Sequence, residues 1–505
     1  MEFDERLDRR QFLRLLSAAA GSGYVPRAIG RVGVQTQPWQ PGAAKLADRL
    51  LLFHGAPFPV RGVVYQPTPV GQDPTVNDGP FTAYSDPRIR RRDFPLLKRL
   101  GANVIRIYQP REILPEFFRD ALAAGLYVIL GFDVDTRYDF TASWARRRVL
   151  EDFRRFVRTW RGQPSVLMWA IGNGVNGELR RTGRAAQIKA WHSLADALAN
   201  AAHEEENGQG RPVILVSSEN ADIGVAAAGS DDASLPNVDL WGVNAYRGRS
   251  FGALFDDLKT TKPVLITEYG LDVRRHGAIA ELDQVPRAHA IVNLWNEIAS
   301  RPDKAIGGCL FEFTDEWWRV QPGRADWHEW GGARNDAFPD GIANLEWFGL
   351  YGVSPRGGGP DLLSERRAVH YLTTAWAPIV TIGQPAVWFD VPQVRDGVDA
   401  VQRVSGRYSG LKPGWEIFVT VTPVGTKTLF VQPESCVVRA PSGSWVAEAN
   451  LGPDRPPPNL QLELTTLVAK TPEAAAALRE CARAGTPLPE TGIIGSLASV
   501  RVRRR

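Results

Sequence analysis

Val238-Asp239-Leu240-Trp241-Gly242-Val243-Asn244-Ala245-Tyr246, followed by Pro263-Val264-Leu265-Ile266-Thr267-Glu268-Tyr269-Gly270, are two short apolar runs that each give way to polar side chains at the C-terminal end. Working outward, runs of the same Val- and Ile-rich kind occur at 61–66, 102–108, 126–133, 165–171, 212–217 and 306–314. Amphipathic segments of helix length lie at 90–100, 114–124, 144–160, 187–203 and 287–300. Short apolar runs alternating with helices are the pattern of parallel strands joined by helical crossovers. Eight such runs over about 300 residues predict an α/β fold, a (β/α)8 TIM barrel with its active site at the C-terminal strand ends. The segment 365–376 predicts a last helix packing back on the barrel. After Pro378 the pattern changes to strands at 387–389, 416–422, 428–432, 443–448 and 461–468 separated by Gly and Pro turns, a β-rich, sandwich-like C-terminal domain. The expected division is therefore residues 1–42 as signal and linker, 43–378 as barrel and 379–505 as β-domain. A proline run at 456–458 marks an exposed loop, and the basic ending Arg501-Val502-Arg503-Arg504-Arg505 reads as a solvated tail.

The 505 residues are 44% hydrophobic and 23% charged, enough apolar material for a large core and too much for a disordered chain. Lys and Arg number 60 against 56 Asp and Glu, and the positive charge is spread along the chain, which argues against nucleic acid as the partner and for a neutral or weakly charged ligand. Cys309, Cys436 and Cys481 lie far apart without a CxxC, which excludes a structural zinc site and leaves room for at most one bridge, Cys436 with Cys481. No phosphate-binding Gly-rich loop and no HExxH are present, so neither a nucleotide cofactor nor a metal is expected. At the N-terminus, Asp8-Arg9-Arg10-Gln11-Phe12-Leu13-Arg14 and the weakly apolar run behind it resemble a twin-arginine export signal, which implies a periplasmic or extracellular protein; the alternative is a short amphipathic helix. The run from Leu15 to Val25 is about half of what a bilayer span needs, so no stable transmembrane segment is expected.

Polar residues just past the barrel strands face the site. The seventh run ends at Glu268, the second contains Arg106 before Tyr108, the fourth leads to Asn173, and the sixth ends at Tyr246. An amide, phenols, a guanidinium and a carboxylate converging on one mouth suit a polyol, and the carboxylate can attack an anomeric carbon. The 16 tryptophans fit the same ligand, since flat aromatic faces stack on sugar rings.

The segment Arg61-Gly62-Val63-Val64-Tyr65-Gln66, then Thr75-Val76-Asn77-Asp78, then Arg92-Asp93-Phe94-Pro95-Leu96-Leu97-Lys98-Arg99-Leu100 leading into Asn103-Val104-Ile105-Arg106-Ile107-Tyr108, resembles glycoside hydrolase family 72, the β-1,3-glucanosyltransferases. The likeness continues through Gly172-Asn173, Asn244-Ala245-Tyr246 and Thr267-Glu268-Tyr269-Gly270, covers roughly residues 55–375, and shares its strand-end motifs with families 2 and 5 of the same clan A. The resemblance implies a retaining glycoside hydrolase or transglycosylase acting on a β-linked glucan or related cell-envelope oligo- or polysaccharide. It implies Glu268 as nucleophile, Arg106 and Tyr246 orienting it, Asn173 on the sugar 2-hydroxyl, and Tyr65, Tyr108, Trp317 and Trp318 as further sugar contacts.

One position departs from that pattern. The residue after the fourth-strand Asn is the acid/base Glu in these families, and here it is Gly174, in Gly172-Asn173-Gly174-Val175-Asn176. A retaining mechanism uses two carboxyls about 5–5.5 Å apart, and losing the acid/base typically costs about 10²- to 10⁴-fold. Glu178 on the following loop and Glu219 at the end of the fifth run are the expected substitutes, with water or an activated donor as a further route. Two other classes compete: a carbohydrate-binding pseudoenzyme, and an envelope component whose β-domain binds a protein.

Overall fold

Val60–Val64 (β4) opens a ring of eight parallel strands, preceded by a small antiparallel sheet of Ala44–Ala47 (β1), Leu50–Phe53 (β2) and Ala56–Pro57 (β3). The other seven are Val104–Ile107 (β5), Tyr127–Phe132 (β6), Val166–Ile171 (β7), Val213–Ser218 (β8), Leu240–Asn244 (β9), Val264–Tyr269 (β10) and Ala305–Leu310 (β11). The ring closes where β11 pairs with β4, Gly307 opposite Val60 and Leu310 opposite Val63. Each of the eight runs read from the sequence coincides with one of these strands, because a strand covered on both faces must be apolar throughout. The computed structural model describes residues 37–504 apart from 41–42, 48, 77–78, 208–209, 275–283, 322, 380–383, 427, 458, 485–487, 489–490 and 496. The twin-arginine-type segment, residues 77–78 of the family-like motif and Pro458 of the proline run lie outside the described residues.

The crossovers are Pro87–Leu100 (α1), Pro115–Ala123 (α2), Ser143–Trp160 (α3), Val175–Arg181 (α4), Ile188–Glu205 (α5), Leu254–Asp257 (α6) and Gln284–Ala299 (α7), and Arg367–Trp376 (α8) packs back on the barrel. Local chemistry sets their ends. In α1 the Asp86 carboxylate accepts from the Arg88 amide at 2.8 Å, Pro87 occupies the first turn, and Gly101 at φ 93° closes the helix in the left-handed region. Its inward stripe is Ile89, Phe94, Leu97 and Leu100.

After the barrel, Ala386–Val391, Val401–Ser409 and Ser442–Asn450 form a three-stranded sheet, and a six-strand set is built around Glu416–Pro423 and Gln461–Ala469. The two share a core of Val404, Trp445, Ala447, Ile417, Val419 and Leu464. The first sheet lies on α7, where Asn296 Nδ2 donates to Ser405 Oγ at 2.9 Å and Asn293 Nδ2 to the Arg403 carbonyl at 3.1 Å. That cover explains why α7 is buried on nearly every face, and residues 38–505 form one compact unit.

Three expectations change. The basic ending is not a solvated tail: Ser499–Arg504 is a strand antiparallel to Gln461–Ala469, with Val500 and Val502 turned inward and Arg504 Nη1 donating to the Val398 carbonyl at 2.9 Å. Alternating Val and Arg is a period-two pattern, and charge count obscured it. No disulfide joins Cys436 and Cys481. Pro472–Ala484 (α9) adds a helix to a region that reads as all-β. Among the described residues no helix is long and apolar enough to cross a membrane.

Between β11 and α8 the chain crosses the barrel mouth, and buried charge fixes it there. Arg366 meets Asp315 in a two-pronged pair, Nη1 to Oδ1 and Nη2 to Oδ2 at 2.6 Å each, and Nη1 also donates to the Gly349 carbonyl at 2.8 Å. Glu346 is wholly buried, accepts from the Val320 and Glu329 amides at 3.2 and 2.6 Å, and burial pushes its pKa up from 4.5 to about 8. Removing one partner of a buried pair strands the other charge, so Arg366→Met is expected to cost about 3–5 kcal/mol, read as a lower urea midpoint. The Glu346 proton, held in the folded chain and released in the unfolded one, stabilises the fold fully below pH 4.5 and progressively less as pH rises through about 8. Urea midpoints taken near pH 5 and above pH 8 should therefore fall toward the alkaline side, and Glu346→Gln should shrink that fall.

Candidate active site

A cleft of about 940 Å³ opens at the C-terminal ends of the barrel strands. Its lining includes Gln66, Tyr108, Asp133, Asn173, Tyr246, Glu268, Trp318 and Arg319. The sequence places Glu268 near the end of β10, where the chain leaves the apolar strand, and its side chain is only 7% exposed. Burial of a carboxylate demands donors, and three are supplied. Arg106 Nη1 reaches Oε1 at 2.8 Å, Tyr108 Oη donates to the same oxygen at 2.9 Å, and Tyr246 Oη donates to Oε2 at 2.9 Å.

The donors are themselves fixed. Arg106 is 2% exposed; its Nη1 also reaches the Thr267 carbonyl at 3.0 Å and its Nη2 reaches Asn173 Oδ1 at 2.9 Å. Burial is the largest single influence and works to lower the Arg106 pKa, but the charge and hydrogen bond of Glu268 together with Tyr108 and Cys309 outweigh it and the net shift is upward. Burial, followed by the Glu268 charge, raises both Tyr108 and Tyr246 well above 10, so each phenol keeps the proton it donates. Asn244 Nδ2 donates to Asn173 Oδ1 at 2.8 Å while Asn244 Oδ1 accepts from Thr267 Oγ1 at 2.8 Å. With its oxygen held by two donors, Asn173 presents its Nδ2 as the group left to meet a ligand.

Of the residues expected at the site, Glu268, Arg106, Asn173, Tyr108, Tyr246 and Trp318 come together. Tyr65 does not line the cleft: it is fully buried behind β4 with its hydroxyl donating to Asp93 Oδ2 at 3.0 Å. Trp317 turns away from its neighbour and stacks on His328, which stacks in turn on Trp347, with ring centroids 4.8 and 3.5 Å apart. Glu178 and Glu219 are also absent from the lining. Glu178 pairs with Arg181 at 2.6 Å along α4, which holds its carboxyl below the usual range. Glu219 pairs with Arg247 at 2.6 Å.

Gly174 caps α4 at φ 71°, a conformation that L side chains resist, and a Cβ there would stand 2.3 Å from Ser218 Oγ. The glycine is thus built into the turn between β7 and α4. Gln66, Asp133 and Arg319 are among the lining groups not singled out in the sequence. Gln66 and Asp133 each close a predicted strand run, so position alone signals them. Arg319 carries no such signal. It arrives on the segment after β11, its Nε on Glu316 and its guanidinium 4.7 Å from the Trp318 ring. Glu312 and Glu316 lie buried beside it; burial pushes both carboxyls upward, helped at Glu312 by the charge of Glu316, while Arg319 opposes the shift at both. No cluster of potential metal ligands occurs among the described residues.

Residues 50–295 match the profile of glycoside hydrolase family 72, described as glucanosyltransferase. The 1,3-β-glucanosyltransferase GAS2 of Saccharomyces cerevisiae is 25% identical over 247 residues, 45% of this chain and 43% of that protein. Protein EPD1 of Candida maltosa is 24% identical over 237 residues, 43% of this chain and 41% of that protein, so the match spans less than half the length of either relative. Among solved structures, a Bifidobacterium dentium β-glucuronidase complexed with coumarin-3-O-glucuronide aligns with TM-score 0.45 and 21% identity over 67% of this chain and 49% of that one. An endo-β-1,4-mannanase from Thermotoga petrophila aligns with TM-score 0.40 and 11% identity over 82% of this chain and 93% of that one. Residues 50–295, which carry seven of the eight barrel strands, are like the barrel of glycoside hydrolase family 72.

Proposed function

We propose that the protein is a glycoside hydrolase or transglycosylase acting on a β-linked glucan or related cell-envelope polysaccharide, with Glu268 as the nucleophile. The observation that carries this reading is a carboxylate on the cleft wall held by a buried guanidinium and two neutral phenols. Mere adhesion to sugar does not require a carboxylate held at both oxygens by a guanidinium and two phenols, whereas attack on an anomeric carbon needs a carboxylate oriented in this way. In the chemistry proposed, one oxygen of Glu268 bonds to C1 as the glycosidic C1–O bond breaks, and water or a sugar hydroxyl later displaces it. The phenols and Arg106 keep the carboxylate oriented through both steps, and Asn173 Nδ2 takes the 2-hydroxyl. The glucanosyltransferase likeness over residues 50–295 supports the substrate class.

A second reading, a glycan-binding protein that no longer cleaves, is favoured by the glycine at position 174 and by the lack of room around it. Intact-mass spectrometry after incubation with an activated 2-fluoro glucoside separates the two. A stable adduct that disappears in Glu268→Gln is expected; glycan binding without adduct would favour the second reading. The local geometry also makes a forecast for restoring the missing carboxyl. Gly174→Glu should lower stability by about 1–3 kcal/mol through a left-handed, crowded side chain. Adding Ser218→Gly should return part of that loss in a melting experiment, because it removes the hydroxyl 2.3 Å from the new Cβ.

A further inference from the structure

Asp133 is the one aspartate that directly follows a barrel strand and lines the cleft, and no role has yet been given to it. It follows β6, and the Gly172 amide donates to the Phe132 carbonyl at 2.9 Å, which sets Asp133 level with the turn that holds Asn173 and Gly174 on the neighbouring strand. In the closed ring β6 and β10 are four strands apart, so Asp133 and Glu268 stand on opposite walls of the same mouth. A sugar bonded through C1 between these walls presents one face to Glu268 and its leaving oxygen to the other side.

The neighbouring acids are all committed to arginines: Asp135 to Arg137 at 2.8 Å, Glu178 to Arg181 and Glu219 to Arg247. Among the described residues no cation pairs with Asp133. Its Oδ1 accepts from the Val134 amide at 3.0 Å, and its carboxyl otherwise faces the cleft. Asp133 is exposed to the cleft, and the protein atoms packed around its carboxyl, with the Asp135 charge beside it, move its pKa upward against the pull of the Val134 amide, the direction a proton donor needs.

Resting on the reading of Glu268 as nucleophile, we infer that Asp133 is the general acid and base of this site, occupying across one strand the role that Gly174 cannot fill. In the first step the Asp133 proton passes to the glycosidic oxygen as the C1–O bond breaks and a Glu268 oxygen bonds to C1. In the second, the Asp133 carboxylate takes the proton of the incoming water or sugar hydroxyl as its oxygen bonds to C1 and Glu268 is released. Atoms and charge balance with no further reactant.

Paired donors test the inference: 2,4-dinitrophenyl β-laminaritrioside, whose leaving group departs without a proton, and phenyl β-laminaritrioside, whose leaving group needs one. Asp133→Asn should lower the phenyl rate relative to the dinitrophenyl rate by about 10²-fold or more. Azide added to Asp133→Ala with the dinitrophenyl donor should restore turnover and yield a glycosyl azide, a product that a purely structural role would not give. Equal losses on both donors, or a wild-type protein that turns over the dinitrophenyl donor alone, would overturn the role of Asp133 while leaving Glu268 in place. No turnover of either donor by the wild type, with no 2-fluoro adduct, would overturn the nucleophile reading and this inference with it.

Discussion

The contact between Arg106 and Glu268 is the constraint around which the barrel mouth is arranged. Two charges in a nearly dry place are costly unless each finds its full complement of partners. The structure meets that demand with phenols from β5 and the β9 end, the Thr267 carbonyl of β10 and the Asn173 amide after β7. Strands distant in sequence are thus tied through one carboxylate, and the barrel's closure sets the distances.

The same economy explains the wall opposite. A glycine at 174 lets α4 start in a left-handed turn tight against Ser218, so the β7 end delivers an amide and no acid. Acids on the surrounding surface are drawn to arginines, which fits a chain with many guanidinium groups; Asp133 is the exception at the mouth. In the segment after β11, Arg319 pairs with the buried Glu316 beside Glu312, and the Asp315–Arg366 pair fastens that segment to the start of α8.

Much of this was legible beforehand. The eight apolar runs became the eight strands because a strand buried on both faces leaves no alternative to Val, Ile and Leu. Residues at the C-terminal ends of those runs or just past them became the site: Asn173, Tyr246, Glu268 and Asp133 share that grammar. What misled was composition read without period. Arginines at the C-terminus looked like a tail, whereas the valines between them place a strand in the sheet. Likewise Trp317 and Trp318 are neighbours in the chain, yet one packs on His328 and the other meets the cleft, a choice made by the turn between them.

The sequence by itself determined the barrel, the sheet-rich segment after it and the strand-end side chains, because burial on two faces and period-two exposure are written locally in residue type. Only the tertiary structure decided which carboxyls remain uncommitted, since pairing with Arg181, Arg247 or Arg137 depends on where a side chain ends in space. It alone decided also that Tyr65 is buried away from the cleft, that the phenols keep their protons, and that position 174 sits in a left-handed turn where a Cβ would meet the Ser218 hydroxyl. Those outcomes are set by packing and desolvation, which act between residues that the sequence holds far apart.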